Sequence, residues 1–496
     1  MIAPDSFKAF APEETQRILH HLQQPAVFMN MTCGWPVLHW TAEHLSECLG
    51  DKLVRFRLGR KDETKTPLFE TQCSYVEAKL EHFLNWTRDH AGRDVGPFCE
   101  YPISAYWAYA DYKYIAMLFE DQPSMFEDVK WSEFGFEGRD GKESTLWIGT
   151  QGANTPCHLD SYGCNLVLQV HGRKRWHLFP PEDTVHLYPT RIPYEESSVF
   201  SQVDVLHPDP QRFPAFQGAR AHVVTLQPGQ VLYVPRHWWH YVESVDPITV
   251  SVNSWIELEV DHIARVSEAV TKAVVCALKS APSDDNADNW LNPTEEGVGS
   301  HDENMQYLNL AVRSSAQQQR SLCHRKHTQN ERDARPVKRD SRGEIRKHCD
   351  MRGESVPFRV PFGPHLIPVH CRQEDPPETR GLTTKDVRPS RDCEVKSLED
   401  CTARSNALQR TELASAVNPS VTQCRQCESA DTKSQNNSED YEEPTDTTIT
   451  TNGLLECLVH PDVIALVTGL LLERHTGSSR TSAPSSLCNS PSLSNM

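Results

Sequence analysis

The chain has 496 residues, room for about three average domains, yet only 38% are hydrophobic and 24% charged, less apolar than a wholly folded chain usually is. Its 50 basic against 68 acidic residues leave a formal charge of −18, which argues against a general nucleic-acid binder. Sixteen irregularly spaced Cys, an amino terminus without a basic-then-apolar leader and no apolar run near the length of a bilayer span predict reduced thiols, a cytoplasmic location and no membrane anchor.

Residues 12–23 (PEETQRILHHLQ) have the acidic start and apolar spacing of a short helix, and PAVFMN after them reads as a buried strand. A second helix is predicted over 41–49, capped by Thr41, followed by an alternating strand over 52–59. The spacing then predicts a helix around 74–88, an aromatic strand over 105–115 and a strand over 144–150. NLVLQVHG and KRWHLFP read as two arms of a hairpin turning near Gly172. Between Phe179 and His222 the Pro-rich sequence is too irregular for core strands and reads as a long loop that walls a cleft. HVVTLQPGQVLYVPRHWWHYVES with ITVSVNSW reads as three more strands separated by Pro-Gly and Asp-Pro turns, and 257–281 as a closing helix. Short strands with Gly and Pro punctuation predict a mainly β fold with flanking helices, a double-sheet barrel or jelly roll.

The aromatic residues mark where folding stops. Ten of eleven Trp lie between Trp35 and Trp255, whereas the 139 residues from 314 to 452 hold only Phe358, Phe362 and Tyr441. So few large apolar side chains do not offset the entropy of ordering a chain. The expected division is therefore an N-terminal α/β extension over 1–95 and a strand core over 96–256. A helical segment over 257–313, a disordered polar linker over 314–452, a short amphipathic helix over 453–475 and a disordered tail over 476–496 complete it. The helix, with Pro461 at its first turn, either docks on the folded part or binds a partner, a frayed tail without function being the plain alternative. Cys424 and Cys427 lack a second pair at zinc-finger spacing and read as no metal site. The run from Arg320 to Lys347 has ten basic against four acidic residues and reads as solvated, with nuclear entry the lesser alternative.

On a strand, residues i and i+2 share a face, so His158 and Asp160 converge while Leu159 turns into packing. His240, at the end of VLYVPRHWWH, can bring a third ligand from another strand. Two His and one carboxylate on one side of a metal leave the opposite positions open, the arrangement of non-haem Fe(II) oxygenases. A chance match or a strand-end pair is the plain alternative. Lys174 shares its strand face with Trp176 and Leu178, and an ammonium on an apolar face needs a partner. A dicarboxylate co-substrate would supply one, chelating the metal with its other end. Thr155 and Asn165 are small polar groups on the same side, and Thr249, Ser251 and Asn253 put a polar strand face toward something wet. Singly, each of these has a structural reading: a snorkelling Lys174, a turn at Thr155, a strand cap at Asn165. Alternation also permits Trp238 to wall the pocket beside His240, core packing being the other reading.

The runs TPCHLDSYGCNLVLQVHGRKRWHLFPPED, PGQVLYVPRHWWHYVES and ITVSVNSW resemble the JmjC-domain oxygenases. These are Fe(II)- and 2-oxoglutarate-dependent enzymes on a double-stranded β-helix. The resemblance covers about residues 20–280 and is nearest to compact, hydroxylase-like members such as the asparaginyl hydroxylase of hypoxia-inducible factor. YWAYADYKY, RIPYEESSVF and the polar tail are similar to the JmjC branch associated with small heat-shock proteins, which implies such a partner. The resemblance implies His158, Asp160 and His240 as iron ligands, and Lys174 with Thr155 for the distal carboxylate of 2-oxoglutarate. It further implies Asn165 on the co-substrate side, Asn253 behind it, and a tyrosine of the AYWAYADY strand, Tyr106 first and Tyr109 next. DSYGCN, from Asp160 to Asn165, is one residue longer than the family spacing, so this carry-over relies on a bulge at Gly163. Nothing resembles a histone-reader or DNA-binding module, which speaks against methyl-lysine substrates.

The expected function is thus Fe(II)- and 2-oxoglutarate-dependent hydroxylation of a protein side chain. The alternative is a JmjC-like interaction protein that binds a small heat-shock protein and modulates the stress response without turnover. A cupin-like fold holding another divalent ion structurally would leave Lys174 unexplained. A homodimer through the helix at 257–281 or the island at 454–474 is left open.

Overall fold

The aromatic-rich part of the chain alternates short helices and strands, each bounded by the capping and turn residues its sequence carries. The computed structural model describes residues 9–62, 66–88, 92–281, 288–295, 298–333, 358–371 and 449–476. The amino-terminal part contains α1 (Pro12–His21), β1 (Ala26–Phe28), α2 (Ala42–Leu49), β2 (Leu53–Arg60), β3 (Ser74–Lys79), α3 (Leu80–Thr87), β4 (Tyr106–Tyr114) and the short α4 (Ile115–Leu118). Thr41 caps α2 by accepting a hydrogen bond from the His44 amide at 3.2 Å. The helix expected over 74–88 is a strand followed by a helix. SYVEAK pairs with β2 from Leu53↔Lys79 to Leu58↔Ser74, burying Val76 and Ala78 while Glu77 faces solvent. Sheet pairing overrides local helix propensity there.

The central part runs β5 (Thr145–Thr150), β6 (Asn154–Asp160), β7 (Cys164–His171), β8 (Lys174–Phe179), β9 (Pro189–Glu195), β10 (Ser198–Ser201), β11 (His222–Leu226), β12 (Val231–Val234), β13 (Trp239–Ser244) and β14 (Ile248–Ile256). The last four strands stand where three were expected. The carboxyl-terminal part holds α5 (Asp261–Lys279), α6 (His301–Asp333), β15 (Leu366–Pro368), α7 (Thr451–Leu458) and α8 (Pro461–Thr476).

Two sheets face each other. One has nine strands in the order β15-β1-β12-β7-β14-β5-β4-β2-β3, and the other has six, β11-β8-β13-β6-β10-β9. β7 and β8 are therefore not a hairpin: β7 pairs with β12 and β14, whereas β8 pairs with β11 and β13. At Gly172 the chain crosses between sheets with φ +63, and a Cβ there would lie 2.4 Å from the Ile248 carbonyl oxygen. The stretch expected to be loop between Phe179 and His222 contains β9 and β10, and β10 pairs Phe200 opposite His158. Pro189 opens β9, and Pro193 lies inside it where the register with β10 shifts, so neither has to supply a regular ladder N–H.

The outer face of the larger sheet is buried under α1, α2, α3 and their turns. Trp35, Trp40, Trp131, Phe56 and Phe83 fill that layer. The Trp40 indole N–H donates to Asp128 at 2.8 Å and that of Trp131 to Ser144 at 2.9 Å, so these rings are buried without an orphaned donor. The inner face meets the second sheet across Val167, Trp176, Leu178, Leu232 and Val242.

All described residues belong to one compact unit comprising 1–373 and 449–496. The expected boundary at 314 does not hold, because α6 continues to Asp333 with Ser315 and Ala316 buried. Its Gln, Arg, Ser and Ala residues are aromatic-poor yet compatible with a helix. β15 pairs antiparallel with β1, placing Leu366 opposite Phe28. The rest of the expected linker, the terminal tail and Cys424 with Cys427 lie outside the described residues. The 453–475 island is a bent helix pair docked on the fold: Leu455 and Val459 pack on Tyr194, Val275 and Trp290, and Leu472 on Val266 and Val312. As expected, Pro461 opens α8. Among the described residues no single helix is long and apolar enough to cross a membrane.

Candidate metal centre and co-substrate cavity

β6 and β13 pair antiparallel with His158 directly opposite His240, so both imidazoles enter the space between the sheets, ring centres 4.2 Å apart. Each ring is oriented by its own strand. Nδ1–H of His158 donates to the Pro156 carbonyl at 2.9 Å, and that of His240 to the Trp238 carbonyl at 3.0 Å. Both Nε2 lone pairs are thereby turned inward. Asp160, two residues along β6 from His158, places Oδ1 3.8 Å from His158 Nε2 and Oδ2 4.0 Å from His240 Nε2. These separations are too long for hydrogen bonds, while all three ligand atoms lie within 4.8 Å of one another. Among the described residues no other group of three His, Cys, Asp or Glu has such spacing. Burial, reinforced by His240 and opposed by Asp160, lowers the His158 pKa to about 4, leaving a neutral imidazole at pH 7. The Trp255 indole N–H donates to Asp160 Oδ2 at 3.0 Å and orients the carboxylate.

Beside the triad, Lys174 is only 2% exposed. Its ammonium donates to the Tyr109 hydroxyl at 3.1 Å and to Ser251 Oγ at 2.9 Å, and among the described residues it forms no salt bridge. Burial, opposed by the more distant Asp111, lowers its pKa to about 7. Thr155, Asn165 and Asn253 line the same cavity as Lys174, His158 and His240. Among the described residues, Asn165 Oδ1, Asn253 Oδ1 and Trp176 Nε1 are buried without hydrogen-bond partners, and Thr155 Oγ1, turned toward the Tyr109 phenol, also completes none. The cavity is tight, about 20 Å³, room for little more than one water.

Tyr106, the first-choice tyrosine, is elsewhere. Its ring packs on Tyr101 at 5.2 Å and lies under Arg60, on the opposite face of β4 from Tyr109. Alternation explains the correction: Trp107 and Tyr109 point between the sheets, while Ala108 and Ala110 join the outer layer with Tyr106. Ser251 belongs to the polar face read from ITVSVNSW, but its bond to Lys174 had no sequence signal. Tyr112, Trp147 and Trp255 also line the cavity and were not singled out as site residues. Trp238 packs in the apolar cluster instead, its indole donating to the Gln23 carbonyl at 3.2 Å. Gly163, where a bulge was expected, lies in the turn between β6 and β7 with φ +63, and a Cβ there would lie 2.5 Å from the Ile256 carbonyl oxygen.

A larger cleft of about 800 Å³ reaches Asp160 from outside, bounded by β4, the β9–β10 turn and the start of α5. Tyr112 and Trp255 line both this cleft and the inner cavity, forming the neck between them.

Residues 12–262 match the family model described as a Cupin-like domain. Over 470 residues the chain is 56% identical to HSPB1-associated protein 1 homolog of Danio rerio, covering 95% of this chain and 98% of that protein. It belongs to the HSPB1-associated protein 1 family of cupin-like JmjC proteins. HSPB1-associated protein 1 of Homo sapiens is 49% identical over 479 residues, 94% of each chain. Jumonji C domain-containing protein 5 of Drosophila melanogaster is 28% identical over 253 residues, 49% of this chain and 57% of that one. The more distant likeness covers about half of this chain, whereas the HSPB1-associated relatives match along 94–95% of it.

For a member of this family the donor set is suited to a divalent ion. Two imidazole nitrogens and one carboxylate converge on one side of a gap, with a polar cavity beside them and no fourth protein ligand among the described residues. Lys174 and the Thr155 hydroxyl are donors suited to a carboxylate, and the unsatisfied Asn amides offer further polar contacts.

Proposed function

We propose that this protein is an Fe(II)- and 2-oxoglutarate-dependent oxygenase that hydroxylates a protein side chain. The observation that carries the reading is Lys174: a fully buried ammonium without a carboxylate partner among the described residues, in the same cavity as His158, Asp160 and His240. Keeping an amine there costs stability unless a ligand supplies the counter-charge. His158, Asp160 and His240 would hold the iron, and Lys174 with Thr155 the far carboxylate of 2-oxoglutarate. Iron bound there would supply oxygen activation coupled to oxidation of 2-oxoglutarate to succinate and carbon dioxide.

The chain's own part is orientation and exclusion of water. The Pro156 and Trp238 carbonyls hold the imidazoles, Trp255 holds Asp160, and Trp147, Tyr112 and Trp255 screen the neck. An arriving carboxylate would restore the charge on Lys174, whose amine titrates at about 7 when unpaired.

A second reading has its own observation. The cavity of about 20 Å³ has no space for a five-carbon dicarboxylate unless the lining side chains move. Permanent closure, together with the relatives' description as HSPB1-associated, would favour an interaction protein that engages a small heat-shock protein without turnover.

The deciding experiment is succinate formation from 2-oxoglutarate under air with added Fe(II), beside Asp160→Ala and Lys174→Ala. Iron-dependent succinate that falls at least about 100-fold in both variants supports the oxygenase. Because a missing protein substrate can suppress turnover, anaerobic titration with Fe(II) and 2-oxoglutarate accompanies it. Failure of the wild type to bind either would transfer the function to the second reading.

A further inference from the structure

The cleft that ends on Asp160 is rich in carboxylates, and most of them already face a cation. Asp111 meets Arg57 at 2.7 Å, Glu196 meets Lys272 at 3.2 Å, Glu257 meets Arg265 at 3.0 Å and Asp261 meets Arg236 at 3.5 Å. Glu295 lies 3.9 Å from the same Lys272. Among the described residues, two carboxylates lining the cleft have no Lys or Arg partner: Asp160, which belongs to the triad, and Glu195.

Glu195 ends β9 at the cleft wall and is held in place by neutral donors. Ser198 Oγ–H donates to its Oε1 at 3.1 Å, and the Asn292 amide donates to Oε2. These contacts orient the carboxyl group without compensating its charge. Burial, then the nearby Glu70, holds its pKa well above the carboxylate range. A bound cation would relieve both effects.

The cleft that Glu195 and Asp160 line also has an aromatic wall. Tyr112 stacks on Trp255 at 10° with ring centres 6.2 Å apart, and its ring lies 4.4 Å from that of Trp147. The register shift in β4 between Ala110 and Lys113, with Tyr112 at φ +52, turns the phenol into the neck. After burial itself, Glu195 and then Asp160 are the groups that most oppose ionisation of this phenol, so both carboxylates lie near the ring. An oriented carboxylate beside stacked aromatic faces is a cation-recognition arrangement.

We infer that the cleft takes its protein substrate by a cationic side chain, lysine or arginine, with Glu195 as its ion partner and Tyr112 and Trp255 as its aromatic wall. This rests on the oxygenase reading for what happens at the triad, but not for binding itself. The bound chain would run past the β9–β10 turn, its cationic head at Glu195 and its aliphatic stem at the neck.

The test uses the full chain loaded with Mn(II) and 2-oxoglutarate, and fluorescent Gly-Ser-Ala decapeptides whose central residue is arginine, lysine, citrulline or norleucine. By fluorescence anisotropy, arginine should bind about tenfold or more tightly than citrulline, or lysine than norleucine. Glu195→Gln should erase that gap while Mn(II) affinity, titrated separately, stays at the wild-type value. Glu195→Asp, which retains charge, should keep a preference and so separates loss of charge from loss of fold. Equal binding of charged and neutral peptides, a preference that survives in the Gln variant, or no cationic binding up to millimolar peptide would each overturn the inference. A wild-type preference for cations without Mn(II) binding would sink the oxygenase reading and retain the cation site.

Discussion

Between the same two sheets lie two different fillings. Toward one end Val167, Leu178 and Leu232 close into a dry cluster, with Trp176 and Val242 bordering both fillings. Toward the other, β7 and β8 with β6, β13 and β14 present Asn165, Lys174, Asn253 and the His158–Asp160–His240 triad, with several polar atoms left unsatisfied among the described residues. β7 contributes Asn165 to one and Val167 to the other, and β8 contributes Lys174 to one and Leu178 to the other. Backbone geometry is shared, so the contrast is one of side chains at successive inward positions. Packing is complete where the fold needs it and incomplete where a ligand would finish it.

The contrast should appear most strongly as a difference in stability. Leu178 is fully buried, so Leu178→Ala should lower unfolding free energy by about 3 kcal/mol. Denaturant titration measures this, and a loss below about 1 kcal/mol would mean the apolar end is as loosely filled as the polar one.

Replacing the buried amine should act in the opposite direction. Lys174 titrates at about 7 in the fold, against about 10.4 for an unperturbed lysine. Between those values the unfolded chain binds the extra proton, so wild-type stability rises with pH across that window and is lowest below it. Lys174→Met should therefore stabilise the ligand-free protein at pH 6 by about 1–3 kcal/mol, with the advantage fading by about pH 10. Thermal melts across this range check the slope, and a pH-independent difference would show that Lys174 does not carry the penalty.

The smallest effect is expected at Asn253. Its Oδ1 has no hydrogen-bond partner among the described residues, so Asn253→Ala should change ligand-free stability by less than about 1 kcal/mol. A larger loss would place Asn253 with the structural core rather than with the cavity.

Much of the site was legible because strand alternation has a period of two. His158 with Asp160, Lys174 with Trp176, and Thr249, Ser251 and Asn253 could be assigned to common faces before any pairing was known. The same rule did not choose between Tyr106 and Tyr109, since it separates faces without saying which one looks inward. Tyr112 lies beyond the rule, because a register shift in β4 breaks the alternation just before it. Glu195 was hidden for another reason: its Pro-rich surroundings read as loop, and the β10 pairing that draws this segment beside His158 is a long-range contact.

The sequence by itself determined the short-strand architecture, the faces of those strands and the residue types able to bind a metal, because these follow from local backbone geometry and side-chain chemistry. Only the tertiary structure decided that Gly172 crosses between sheets instead of turning a hairpin, that His240 lies opposite His158, and that α7 and α8 return to pack on α5. Those outcomes depend on which distant strands complete one another's backbone hydrogen bonds and which apolar faces remain to be covered, and neither quantity is contained in a local stretch of chain.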